Sequence, residues 1–211
     1  MAHDKLLEVA VREFGQRGLE GASTRGIAAA AGTAMSSITY HYGGKKGLYL
    51  AAADYIAQQM EDVGKGLEFE RAGLPETPEA ARAVIQTVLG RMIDKLTSTQ
   101  TSPWSMFIVR EQMNPTEAFD RIYAGPMGRF MEMLVELVCI ATGRRDRNVA
   151  SVAVVTLFGQ VLAMRAARAT CARLFERPVD APDLIAEVRA RIAANTDAIL
   201  DRLIAERQEP Q

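Results

Sequence analysis

Histidine and cysteine are both scarce: the 211-residue chain holds two of each. His3 and His41 are far apart, and Cys139 and Cys171 show no metal-ligand spacing, which argues against a zinc site. Two isolated cysteines in apolar helical patterns read as buried thiols of a reducing compartment. CxxC, HExxH, GxGxxG and P-loop motifs are all missing, so metal hydrolases and nucleotide-binding enzymes lack their usual signatures. No metal, cofactor or enzymatic activity is expected. An excess of one charge is missing too, since 25 Lys+Arg face 26 Asp+Glu for a net −1. Any nucleic-acid contact must therefore come from a local basic surface. The longest apolar run, 149–164, is interrupted by Ser151, Thr156 and Gln160. It falls short of the ~18–20 clean apolar residues expected of a membrane span. Acids at Asp4, Glu8 and Glu13 argue against a signal or transit peptide, so a cytoplasmic protein without membrane contact is expected.

What the chain does have is helical periodicity. Hydrophobic residues make up 48% and charged residues 24%, a balance that supports a folded core. Period-3.6 patterns run from end to end without sustained alternation, which predicts an all-α fold of about nine helices. Leu6, Leu7, Ala10, Val11 and Phe14 mark a first helix over about 4–17, closed by Gly18 and Gly21. Ser23 or Thr24 caps a short helix over 25–31, ended by Gly32. A third covers 35–42, and a fourth starts at Lys45 after Gly43-Gly44. A polar stretch over 68–78 precedes Thr77-Pro78-Glu79, a helix-start signal for 78–97. Ser102-Pro103 opens another helix over 103–113, and Pro115 and Pro126 bracket more helix up to Ala141. Asp146 caps a long helix over 147–175. The last helix, about 183–207, follows Pro178 and Pro182.

Two short helices joined by a tight glycine-containing turn make a helix-turn-helix. Ala28, Gly32 and Ile38 supply its small crossing residue, its turn glycine and its inward aliphatic, with Ile27 behind them. The next stretch is more specific. Ser37-Ile-Thr-Tyr-His-Tyr-Gly-Gly-Lys-Lys-Gly-Leu48, after Ser23-Thr-Arg-Gly-Ile-Ala-Ala-Ala-Ala-Gly32, resembles the DNA-binding domain of the tetracycline-repressor (TetR) family. The likeness covers about residues 5–50. Gly26 stands where that family usually has an acid, and Tyr42 where Phe is commoner.

That resemblance implies a three-helix head over 1–48, followed by a helical ligand-binding and dimerisation domain over 49–211. In such a head the second helix of the motif lies in the major groove and its N-terminal half meets base edges. Met35, Ser36, Ser37, Thr39 and Tyr40 are then the base-facing candidates, through hydroxyls and thymine-methyl contacts. No Arg or Asn stands there for a bidentate base contact, so specificity leans on DNA shape as well. Thr24, Arg25, Tyr40, His41 and Lys45 are the phosphate candidates, Lys45 adding its charge to a helix start. For His41 the bland alternative is packing; for Lys45 and Lys46 it is a solvated pair.

Dimeric readers of palindromic sites need a self-complementary surface. The 149–164 run is apolar nearly all round, as expected for a helix covered on both sides. In the last helix Ile185, Val188, Ile192, Asn195 and Ile199 follow a 3-4-3-4 seam, where Asn195 would restrict register. The dimer candidates are Val155, Leu162, Ile192, Asn195 and Ile199. Between head and seam lies a Met- and aromatic-rich stretch suited to an adaptable apolar pocket. Trp104, Phe107, Arg110, Met113, Phe130, Met131, Met164 and Arg168 are the effector candidates. Their bland alternative, for Arg110, Glu111, Gln112, Arg165 and Arg168 as well, is an ordinary core in which the arginines pair with acids such as Glu132 or Glu136. The segments 38–51 and 110–116 also resemble the branch that governs responses to cefoperazone and chloramphenicol. That branch implies control of transport or efflux genes by a small, partly hydrophobic effector.

The reading is a homodimeric repressor of double-stranded operator DNA, released by an effector. Its rivals are a helical ligand-binding or adaptor protein that no longer reads DNA, and a helical enzyme built on Arg110 and Glu111, which lacks a nucleophile.

Overall fold

The computed structural model describes residues 2–64, 73–98 and 102–208, and among them every regular element is helical. The elements are α1 (Ala2–Gly21), α2 (Thr24–Ala31), α3 (Met35–Tyr42), α4 (Lys45–Gly64), α5 (Pro78–Thr97), α6 (Ser102–Met113) and α7 (Glu117–Ile122). A π-helical turn, Tyr123–Met127, leads into α8 (Gly128–Thr142), α9 (Arg147–Ala166), α10 (Arg168–Phe175) and α11 (Pro182–Gln208). Residues 65–72, which include the first part (68–72) of the expected polar stretch, lie outside the described residues.

The expected start signals work as capping chemistry dictates. Thr77 accepts from the Ala80 N–H, and Asp146 accepts from the N–H groups of Asn148 and Val149, satisfying donors that a helix start leaves without partners. Two boundaries differ from the sequence reading. Helix α1 runs on to Gly21, but Gly18 leaves the helical conformation at φ 72, ψ 176 and breaks it there. The helix expected over 147–175 is two helices, because Ala167 opens to ψ 26 between α9 and α10. No glycine or proline marks that break, so the apolar pattern runs through it.

The chain divides into two compact units, 1–70 with 100–129 and 71–99 with 130–211. In the first, Phe14, Ile27, Ile38, Leu48, Ile56, Phe107 and Ile122 form a fully buried core. Each such side chain contributes roughly 1.5–3 kcal/mol through burial. Helix α1 packs on α4 and α6, and α4 also packs on α3 and α7. In the second unit α5 packs on both α9 and α11, burying Ile85, Leu89 and Ile93 with Val154, Leu157, Val161, Leu184 and Leu200. Arg82 of α5 ties α11 through Asp197 at 3.0 Å and Asp201 at 2.5 Å.

Helix α9 corrects one expectation. By length and composition it is long and apolar enough to cross a membrane, although its interrupted apolar run reads as too short in the sequence. In this fold it is a packing helix of the second unit.

Candidate nucleic-acid interface

The head is organised so that little of α3 is spent on packing. Ser23 precedes α2 in extended conformation and its Oγ accepts from the Gly26 N–H at 3.3 Å. Ile27, Ala28 and Ala31 are buried on α2. Gly32 ends that helix in the left-handed region, its N–H reaching the carbonyls of Ala28 and Ala29. On α3 only Ile38 is buried, with Tyr42 half-buried against the same core. Met35, Ser36, Thr39, Tyr40 and His41 are exposed and Ser37 is half-buried. Tyr40 is 85% exposed, an unusual state for an aromatic side chain, and its ring meets His41 edge-on at 5.0 Å. Thr24 is half-buried and Arg25 exposed at the start of α2. Ala34 offers α3 no side-chain cap, which leaves the start of that helix for an outside acceptor.

Lys45 opens α4 half-buried, and its Nζ donates to the Glu20 carbonyl at 2.8 Å. It is therefore an intramolecular brace as well as a phosphate candidate. Lys46 lies 3.7 Å from Glu117. Gly47 is a requirement the sequence reading missed: a Cβ there would stand 1.7 Å from the Tyr42 carbonyl oxygen. The end of α3 thus presses on the first turn of α4, and only a residue without a side chain fits. The Lys-Lys-Gly motif was the available signal.

The effector candidates fare differently. Trp104 is half-buried against the first unit's core. Phe107 is completely buried and packs on Tyr49, ring centroids 4.7 Å apart, so it is a core residue and not a pocket wall. Met113 is 77% exposed. Arg110 Nε donates to the Gly15 carbonyl at 3.4 Å and Nη2 to the Gln16 carbonyl at 3.0 Å. These two donors serve the backbone of α1 and not an acid. In the second unit Met164 is buried, and Phe130, Met131 and Arg168 are half-buried. Arg168 reaches the Thr97 carbonyl at 3.4 Å and Asp180 at 3.3 Å. Glu132 and Glu136 both pair with Arg147, not with Arg110 or Arg168. Burial and the neighbouring Arg168 charge lower the pKa of the Arg165 guanidinium.

Nothing in the sequence marks Glu111 and Tyr49 as partners. The Glu111 carboxylate is buried and accepts from the Tyr49 hydroxyl on one oxygen. Its other oxygen takes the Thr116 N–H and Oγ1 and the Phe119 N–H. This satisfied network caps α7 and fastens α6 to α4. The enzymatic reading gives Glu111 a catalytic task, whereas these four donors show it occupied structurally.

On the second unit, α9 and α11 leave an open apolar groove of ≈ 510 Å³, lined among others by Val149, Val152, Thr156, Ile199 and Leu203. Val152 and Val155 are 66% and 64% exposed, and Leu162 and Ile199 are half-buried. Asn195 is also half-buried and donates to Gln160 Oε1 at 2.7 Å within the same chain. Ile192 is withdrawn from this face. It is 5% exposed, turned with Thr196 and Leu200 into its own unit, because the inward stripe of α11 follows 192, 196 and 200.

A helix-turn-helix head with an outward-facing second helix, joined to further helical layers, defines a DNA-binding transcriptional regulator. Residues 6–52 match the model of the bacterial regulatory proteins of the tetR family, and residues 78–203 match that of the C-terminal domain of the HTH-type transcriptional dual regulator CecR. The chain belongs to the tetR family of bacterial regulatory proteins. It is 34% identical over 175 residues to the HTH-type transcriptional dual regulator CecR of Shigella flexneri, covering 80% of this chain and 78% of that one. Over 80 residues it is 36% identical to the HTH-type transcriptional repressor AcnR of Corynebacterium glutamicum, covering 37% of this chain and 43% of AcnR. The fold is similar to that of AibR, crystallised with isovaleryl coenzyme A and operator DNA, with a TM-score of 0.66 at 18% identity, covering 92% of this chain and 97% of that one. A TetR regulator from Haloarcula marismortui is similar at a TM-score of 0.64 and 18% identity, over 93% and 97% of the two chains.

Proposed function

We propose that this regulator is a homodimeric, cytoplasmic repressor whose 1–48 head binds a palindromic operator and whose 49–211 domain takes up a small, partly hydrophobic effector. The carrying observation is α3, on which Ile38 alone is buried while Met35, Ser36, Thr39 and Tyr40 face outward. The similarity to CecR supports the branch and, with it, control of transport or efflux genes. A second copy is the natural occupant of the α9–α11 face, since Val152 and Val155 are exposed valines on an otherwise packing helix. Trp104, Phe130, Met131 and Arg168 remain individual candidates for effector contact. The effector would favour a dimer state whose α3 helices no longer match major grooves one turn, ~34–36 Å, apart. Coupling of this kind is typically worth ~1–3 kcal/mol.

The test is enrichment of sequences from a randomised duplex pool by the purified protein, followed by anisotropy titration of the winner. A palindromic consensus bound by the dimer is the expected result. Failure to enrich any sequence overturns the repressor reading in favour of a helical adaptor that no longer reads DNA.

A further inference from the structure

The glycines at 15 and 18 are spaced like a helix face, and α6 lies along that face. A Cβ at Gly15 would stand 2.8 Å from the Pro103 carbonyl oxygen, and one at Gly18 would stand 3.2 Å from Arg110 Nη1. Helix α6 therefore sits on α1 over about two of its own turns, from Pro103 to Arg110. The contact falls where α1 breaks. At ψ 176 the chain beyond Gly18 turns out of the helix, so the last carbonyls before the break lose their regular donors. Arg110 supplies donors to two of them, the carbonyls of Gly15 and Gln16. A cation is also favoured there by the negative end of the helix dipole. Beyond the break, Lys45 holds the Glu20 carbonyl. Three residues on, Ser23 caps α2. The direction in which α1 hands the chain to the helix-turn-helix is thus set by two cations from other helices.

We propose that Arg110 is a positioning residue for operator recognition. By clasping the carbonyls at the α1 break it fixes the bend at Gly18, and so aims α2 and α3 relative to α6. The proposal rests on the DNA-binding reading above. It requires no contact between Arg110 and DNA, and its signature is a loss of discrimination without loss of phosphate binding. A guanidinium spans two carbonyls with its planar fork, whereas an ammonium reaches them as a point donor. Arg110→Lys should therefore recover part of what Arg110→Met loses.

The experiment uses the full chain and two probes: the duplex enriched from the random pool by the wild type, and a random-sequence duplex of equal length. Arg110→Met should weaken binding to the enriched duplex about tenfold or more, the size of effect that one mismatched base pair has. Its affinity for the random duplex should stay within about twofold, with the slope of log K against log salt unchanged, since no phosphate contact is removed. Arg110→Lys should fall between Arg110→Met and wild type. Gly18→Ala, which forces a side chain into the left-handed region against Arg110, should lose discrimination in the same way. A parallel loss on both duplexes, a smaller salt slope, or unchanged discrimination in Arg110→Met each overturns the positioning role. A variant that merely unfolds lowers the active fraction for both duplexes equally and counts as that parallel loss unless Arg110→Lys, still folded, shows the selective one. A wild type that enriches nothing removes the DNA-binding reading itself, and the positioning role with it.

Discussion

The Tyr49 hydroxyl of α4 donates a 2.5 Å hydrogen bond to the buried Glu111 carboxylate of α6, across 62 residues of sequence. Burial, the hydrogen bond to Glu111 and the Glu111 charge all raise the Tyr49 pKa. Because the folded pKa lies above the unfolded one, this hydroxyl adds stability that is fully present below about pH 10 and is lost as pH rises further. Wild-type stability should therefore fall between about pH 10 and 12 more steeply than that of Tyr49→Phe. At pH 7, Tyr49→Phe should cost about 1–3 kcal/mol, since it takes one donor from a buried carboxylate. Urea melts across pH check both statements; identical alkaline slopes would remove the role of the pair.

Lys45 donates to the Glu20 carbonyl at 2.8 Å, and a DNA phosphate is its proposed second partner. Lys45→Ala should weaken binding to enriched and random duplexes by similar factors and reduce the salt slope by ~0.9 for each phosphate that the ammonium neutralises. If the slope is unchanged while the melting temperature drops, Lys45 is a brace alone.

Val155 and Leu157 lie two residues apart on α9, one 64% and the other 3% exposed. Val155→Glu should leave each protomer folded but shift the protein to monomers in sedimentation. Leu157→Glu should unfold it, because a buried unpaired charge costs far more than a domain can spare. A Val155→Glu protein that still sediments as a dimer would exclude this part of α9 from the interface.

Gly47→Ala should destabilise the head severely, by about 2 kcal/mol or more, as an overpacked contact against backbone does. The Tyr42 carbonyl has no side-chain freedom with which to yield. A thermal melt within a degree of wild type would contradict the close approach of α3 and α4.

Thr39→Ala should alter the enriched sequence more than it alters affinity for random DNA, costing at most the ~1–3 kcal/mol of a base contact. An unchanged consensus in a repeated selection would take Thr39 off the base-reading face.

The amino-acid sequence by itself determined what depends on neighbours along the chain. Helix starts at Thr77 and Asp146, the turn at Gly32, the bounds of α3 and the outward side chains of the head follow from capping groups, glycines and 3.6-residue periodicity, all local properties. Only the tertiary structure decided which side of an apolar helix faces its own unit and where distant polar groups meet. Val155 and Leu157 are alike in sequence, but packing against α5 covers one and not the other. Ile192 fits a 3-4-3-4 seam and also the 192, 196, 200 stripe; burial on its own unit selects the second. Arg110 reads as a pocket guanidinium in the sequence because its neighbours are apolar. Its partners in the fold are backbone carbonyls 94 and 95 residues away. Those acceptors exist only because Gly18 breaks α1, and every sequence has backbone carbonyls, so no residue pattern could have announced them.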